Sequence, residues 1–206
     1  QRQMCIRDSD STEISLEWIL WDGIFLTLTA NPVYQDEIDL LIEGIENSVF
    51  YDSANSAIKY GGSNNAYLTA LWNSMLIMYN RSFGGSVLAR VFDGETYPYY
   101  NDEIVNSHNY MFNDGWSYYM SYVFPSGGGE VKDAADGFED YECLAFLMSY
   151  SLNGDTTKAD SVFDYNVLEV GGADTDDDEP SEFVQNIGLF AASVNPTSGY
   201  WPLSRD

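Results

Sequence analysis

The segment richest in chemistry is Asp133-Ala134-Ala135-Asp136-Gly137-Phe138-Glu139-Asp140-Tyr141. Its carboxylates crowd the point where the glycine-rich stretch Pro125-Ser126-Gly127-Gly128-Gly129 leads toward an apolar helical pattern. A helix N-terminus carries partial positive charge and stabilises an ionised carboxylate. Asp136 is placed to be held ionised there, as a base or as the group that stabilises a sugar cation. Glu139 and Asp140 lie one turn on and offer a second carboxyl. Glycoside hydrolysis needs two carboxyls flanking the scissile bond, set about 6.5–9.5 Å apart when the reaction inverts configuration. The catalytic candidates are therefore Asp136, Glu139 and Asp140, with Asp114 and Asp22 as further partners for Asp136. The plainer reading of the same residues is a capping box, with Asp136 as N-cap and Glu139 three residues later.

Aromatic residues form the second signal. Trp116, Tyr118, Tyr119 and Tyr122 follow one turn signal, and Tyr97, Tyr99 and Tyr100 flank Pro98. Aromatic faces with polar rims suit stacking on sugar rings. Trp18, Trp21 and Trp72 fall at helical spacing instead, and interhelical packing is the expectation for them.

Other chemistries find little support. Asp174-Thr175-Asp176-Asp177-Asp178-Glu179 clusters hard oxygen donors but lacks the turn glycine and the twelfth-position Glu of a calcium loop, where Gln185 stands. It reads as a solvated acidic loop. One histidine, His108, makes a His-rich metal site impossible. Cys143, among Leu144, Ala145, Phe146 and Leu147, reads as a small buried hydrophobe. The glycine run lacks the Lys-Ser/Thr of a phosphate loop, and no Gly-x-Ser-x-Gly motif occurs. No metal and no cofactor are expected.

The elements that must position these residues are helical. Ile14, Trp18, Trp21, Phe25 and Leu28 recur at steps of three and four and predict a helix over 13–30. Ile38, Leu41, Ile42, Ile45 and Val49 predict a second over 34–51, antiparallel to the first across a link of about three residues. Gly61-Gly62-Ser63 breaks the chain. A third helix over 64–80 is apolar round most of its circumference and should be buried. Residues 86–101 read as irregular or short strand, 101–112 as helix, and Asn113-Asp114-Gly115 as a turn. Trp116 to Phe124 reads as either strand or helix. The strongest helix spans 137–152 and is closed by Asn153-Gly154-Asp155. Shorter helices follow at 157–168 and 183–194. The sum is an all-α chain of helical hairpins, a fragment of an α/α toroid or solenoid with short irregular or β loops.

Here the acidic segment resembles the signature of family 8 glycoside hydrolases, secreted inverting enzymes with a six-hairpin toroid. Ala134, Asp136 and Gly137 match that signature. Ala135 stands where the family has Ser or Thr, and Phe138 where it has a second Asp. The preceding aromatic run from Asp114-Gly115-Trp116 to Tyr122 is similar as well. The family's general acid is a Glu that opens an inner helix within Ser-Glu-Gly-x-x-Tyr-Gly. The nearest counterpart is Ser63-Asn64-Asn65-Ala66-Tyr67, with Asn64 at the acid's position. An amide cannot donate a catalytic proton. The resemblance thus implies Asp136 as the sugar-contacting carboxylate, and an acid that is lost or supplied elsewhere. The substrate-binding candidates are Trp116, Tyr118, Tyr119, Tyr97, Tyr99, Tyr67 and Asn64.

Charge narrows the partners. The 206 residues hold 33 Asp+Glu against 8 Lys+Arg, a net charge of −25. Nucleic-acid affinity comes from neutralising phosphates, so that class is excluded. No apolar run reaches transmembrane length, so membrane insertion is not expected. Residues 1–9 hold two of the basic residues and resemble translated sequencing-adapter read-through, as found at the ends of assembled metagenomic fragments. They are set aside as non-native, leaving 10–206 as a single domain, a piece of a longer chain. The reading is an extracytoplasmic carbohydrate-active protein, secreted or periplasmic: an inverting glycoside hydrolase or degenerate relative acting on a polysaccharide or oligosaccharide. The alternatives are a non-catalytic helical protein that binds glycans or nutrients, and a structural helical-repeat module.

Overall fold

A computed structural model of the chain describes residues 9–84, 96–123 and 140–163. They are mostly helical, with one small antiparallel sheet. The organising element is α3 (Ala66–Phe83), in which every residue from Ala66 to Asn80 is buried. Its composition suits this, because a helix apolar round most of its circumference is stable only when enclosed. Asn65 caps it, the side-chain oxygen accepting from the Leu68 amide at 2.9 Å. Against α3 pack α1 (Ser9–Leu28), α4 (Asn101–Tyr110), α6 (Asp140–Asn153) and the central strand of the sheet. Between α1 and α3 in sequence comes α2 (Gln35–Glu46), after a 3-10 turn at Pro32–Tyr34 that Asn31 caps.

The face that α1 buries differs from the expected one. Leu16, Leu20, Ile24 and Thr27 are buried, whereas Trp18 is 64% and Phe25 55% exposed. Both stripes are apolar at helical spacing, so periodicity could not choose between them. Close approach decides it. Gly23 lies on the buried side, where a Cβ would collide with Met75 of α3. The larger aromatic side is thereby turned outward.

The second predicted helix ends early. Beyond Glu46 the chain turns, Val49 is 82% exposed, and a three-stranded sheet begins. Strands β1 (Tyr51–Asp52), β2 (Ala57–Tyr60) and β3 (Ser63–Asn64) pair in that order, with Tyr51 opposite Ile58 and Tyr60 opposite Ser63. Gly61-Gly62 is the two-residue hairpin loop, with φ of +59° and +87°. Two positive φ angles match the twist of paired strands and call for glycine.

Asn113-Asp114-Gly115 is not a chain-reversing turn. The backbone stays helical from α4 through a π turn at Met111–Gly115 into α5 (Trp116–Val123). A π turn widens the helix and loosens its own bonding. Here the Tyr150 hydroxyl of α6 donates to the Met111 carbonyl at 2.9 Å. The glycine serves close packing: a Cβ on Gly115 would meet Met111 Sδ at 2.9 Å. After α6, Gly154 at φ +83° closes the helix, and residues 156–163 are helical again. No described helix is long and apolar enough to cross a membrane. The predicted helix at 183–194 and the acidic loop lie outside the described residues.

Candidate functional site

Aromatic and polar groups meet where α2, α3 and the segment 96–100 come together. Asn80 of α3 fixes that segment. Its amide nitrogen donates to the Tyr99 carbonyl at 2.9 Å and its oxygen accepts from the Tyr99 amide at 3.0 Å. Asn101 accepts from the Tyr97 amide at 2.9 Å. So held, Tyr100 adopts a left-handed backbone at φ +51°, ψ +35° and precedes α4. A non-glycine residue in that region is strained and persists where its surroundings over-determine it. The Tyr100 hydroxyl reaches α2 and donates to Asp39 Oδ1 at 2.7 Å. Gln35, one turn earlier, donates to the Tyr79 hydroxyl at 2.9 Å. The Tyr79 ring stands edge-on to Tyr99 at 5.6 Å and to Tyr100 at 5.3 Å. Tyr99 is 41% exposed, while Tyr100, Gln35 and Asp39 are half-buried.

Burial, opposed by the Gln35 bond and reinforced by Asp39, pushes the Tyr79 phenol up to about 12. Burial and then the hydrogen bond to Asp39 raise Tyr100 further. Both phenols therefore keep their protons at any physiological pH. Above the fully buried Tyr79, the surface offers the half-buried Tyr100 phenol, a carboxylate, an amide and one open ring. That combination binds hydroxyl-rich, ring-shaped molecules by hydrogen bonding and stacking.

The residues expected from sequence are distributed as follows. Tyr99 lies in this patch. Tyr97 is buried beneath it. Tyr67 is buried too, its hydroxyl accepting from the Trp21 indole at 3.3 Å. Trp116 and Tyr119 stack at 5.5 Å, and Trp116 meets Tyr150 edge-on at 5.6 Å. Tyr119 is fully buried and Trp116 half-buried, so these rings serve the joint between α5 and α6. Tyr118 is exposed on α5. Asp140 opens α6; its side chain, and all of Asp136 and Glu139, lie outside the described residues. Asp114 and Asp22 are exposed, on the π turn and on α1. Gln35 and Asp39 were not singled out in the sequence. They sit half-buried on an ordinary amphipathic helix, and only the approach of Tyr79 and Tyr100 from distant sequence distinguishes them.

Asn64 has a definite local task. Its amide donates to Asp52 Oδ2 at 2.9 Å, beside the Asn55 amide at 2.8 Å, and the Ala54 amide donates to Oδ1 at 3.1 Å. The hydrogen bonds from Asn55 and Asn64 hold the Asp52 carboxyl below its ordinary value. A carboxylate so held carries no proton at neutral pH, so Asp52 does not supply the general acid that Asn64 lacks.

Glu46, at the end of α2, behaves oppositely. Burial, then Glu103 and Glu43, raise its carboxyl. The folded protein thus binds that proton more tightly than the unfolded chain. The ionised form subtracts stability above the folded pKa, and the penalty fades as pH falls toward and below it. Glu46→Gln is expected to raise the melting temperature at pH 7, with the gain shrinking toward pH 4. The gain stays below about 1 kcal/mol, because Glu46 is half-exposed and solvent screens its neighbours. A melting temperature unchanged or lowered at pH 7 would contradict this.

Among the described residues, no group of three or more His, Cys, Asp or Glu side chains is placed to hold a metal ion. Compared with protein-family models, curated proteins and solved structures, the chain matches none.

Proposed function

We propose that this is an extracytoplasmic carbohydrate-active protein, and that its helical hairpins form part of an α/α toroid or solenoid whose described portion binds a polysaccharide or oligosaccharide. The observation that carries the reading is the patch of Tyr99, Tyr100 and Tyr79 with Asp39 and Gln35. The half-buried Tyr100 phenol, the Asp39 carboxylate and the Gln35 amide offer donors and acceptors to sugar hydroxyls, Tyr99 supplies an exposed ring, and the buried Tyr79 backs them. The role proposed for this patch is binding.

A hydrolytic reading rests elsewhere. The acidic run with Asp136 and Glu139 directly precedes, in sequence, the described part of α6, and by its sequence pattern it opens that helix. There Asp136 would act as the sugar-contacting carboxylate, with Glu139 or Asp140 as its partner.

One experiment separates these. Soluble β-glucans, xylan and chitosan are titrated against wild type, Tyr99→Ala, Asp39→Asn and Asp136→Asn, with reducing ends measured in parallel. Tyr99→Ala and Asp39→Asn are each expected to weaken binding roughly tenfold, the worth of one good polar or stacking contact. Reducing-end release that disappears in Asp136→Asn establishes a hydrolase. A folded wild type that binds none of the panel, or patch variants that bind as wild type does, removes the patch from consideration.

A further inference from the structure

Helix α1 is apolar on two sides, and one of them is open. Leu16, Leu20 and Ile24 are buried on the side that packs against α3. On the opposite side Trp18, Asp22 and Phe25 recur at steps of four and three, and all three are exposed. Trp21 ties the open side to the core. Its indole nitrogen donates to the Tyr67 hydroxyl of α3 at 3.3 Å, and its ring lies 6.1 Å from that of Phe25. Two exposed rings with a carboxylate between them thus occupy about 10 Å of helix. Among the described residues no ion pair reaches Asp22. A helix apolar on all sides is ordinarily enclosed, and a contiguous exposed apolar group marks a contact surface.

We propose that the outer side of α1 docks a cationic amphipathic helix of a partner protein, whose apolar side chains pack on Trp18 and Phe25 and whose Lys or Arg residues pair with Asp22. Charge selects this occupant. From Ser9 to Glu46 the chain holds nine Asp and Glu and no Lys, Arg or His. A second copy laid on the same face would be isologous and would bring the α1 carboxylates of both copies together, which is repulsive. Two rings and a carboxylate also fall well short of the roughly 20–30 residues a side that a stable interface between folded proteins uses. A single helix needs fewer anchors, because it places apolar side chains at i, i+3, i+4 and i+7 along one stripe. Trp18 and Phe25 stand two turns apart, the spacing of that stripe. Lysine or arginine fits here twice over, pairing with Asp22 or lying over an aromatic face. This docking surface is separate from the tyrosine patch and does not rest on the sugar-binding reading.

The test uses the whole chain and synthetic helical peptides of four turns, about 14 residues. One carries leucines on one side and lysines on the other. In the first control glutamates replace the lysines, and in the second alanines replace the leucines. Binding is followed by peptide anisotropy and by the NMR signal of the Trp18 indole N–H. The leucine–lysine peptide is expected to shift that signal and to bind roughly tenfold tighter than either control. Trp18→Ser and Phe25→Ser are each expected to weaken it roughly tenfold, as for a buried aromatic anchor. Asp22→Asn is expected to weaken it about threefold and to reduce its salt dependence, as for an exposed ion pair. Equal binding of the alanine–lysine peptide, or undiminished binding to Trp18→Ser and Phe25→Ser, would mean attraction by net charge alone and overturns the proposal. Equal binding of the leucine–glutamate peptide overturns the choice of a cationic partner. A wild type that sediments as a dimer, and a Trp18→Ser variant that does not, makes a second copy the occupant and overturns it too. The Trp18 indole signal in the wild type needs no variant, and a signal that the leucine–lysine peptide leaves unmoved is equally fatal.

Discussion

Trp72→Ala is expected to cost about 3–5 kcal/mol in chemical denaturation, the range for deleting a large, fully enclosed aromatic side chain. Trp72 is entirely buried at the middle of α3. Its indole nitrogen donates to Ser56 Oγ at 3.1 Å, and the same oxygen accepts from the Tyr51 hydroxyl at 2.9 Å. The Tyr51 ring stands edge-on to the indole at 5.7 Å. Ser56 holds a positive φ of +47°, so this small group of contacts also pins a strained corner between β1 and β2. Nearby, the Ile58 amide donates to Thr69 Oγ1 at 3.0 Å and the Asn65 amide to the Ile58 carbonyl at 2.8 Å. The loss should therefore spread from α3 into the sheet. Chemical shifts of Asp52 and Asn64, about the β1–β3 tie, are expected to move in the variant. Trp72→Phe retains most of the packing and loses one hydrogen bond, so about 1–2 kcal/mol is expected. A cost under about 1 kcal/mol for the alanine would show that the sheet docks by other means.

The architecture was legible where one physical term dominates. The run at 66–80, apolar round most of its circumference, pointed to an enclosed helix, and α3 is one. Asn153-Gly154 ended α6 for a reason local to the chain, a left-handed glycine. Legibility failed where two readings had equal local merit. On α1 the stripes of Trp18 and of Leu20 are both apolar, and a single glycine facing Met75 chose between them. Asn113-Asp114-Gly115 has the composition of a turn, yet packing against Tyr150 keeps it helical. The sheet at 51–64 was hidden because its strands are too short to show alternation. The tyrosine patch was half legible. Tyr99 is drawn to the surface by its proline-flanked loop, but Asp39 and Gln35 become partners only once α2 lies across 96–100. The acidic segment at 133–139 lies outside the described residues, so Asp136 still rests on sequence.

A second large loss is expected in the core, where Asn73 is completely buried. Its oxygen accepts from Ser149 Oγ at 2.9 Å and Asn153 Nδ2 at 2.6 Å. Its nitrogen donates to Ser107 Oγ at 3.0 Å and to the Ile104 carbonyl at 3.4 Å. One side chain thus ties α3 to α4 and to α6, the two helices that carry the tyrosine loop and the acidic segment at their ends. An unpaired buried polar group costs about 1–3 kcal/mol. Asn73→Ala strands the Ser149 hydroxyl and weakens the hold on the Asn153 amide, whose bond to the Ser149 carbonyl at 2.7 Å remains. With the cavity added, a loss of about 3–5 kcal/mol is expected. Asn73→Leu fills the space but strands the same groups, so it should recover little of that. The decisive comparison is Asn73→Leu with Ser149→Ala and Asn153→Leu together. Removing the orphaned partners should make the triple variant more stable than the summed single losses imply, by about 1–3 kcal/mol. Strict additivity would mean that the three side chains act independently and that packing alone joins α3, α4 and α6. Positive coupling would mean that the hydrogen bonds set the rotation of α4 and α6 about α3. The apolar surfaces of these helices could pack in more than one rotation, whereas the donors and acceptors on Asn73 are met in only one.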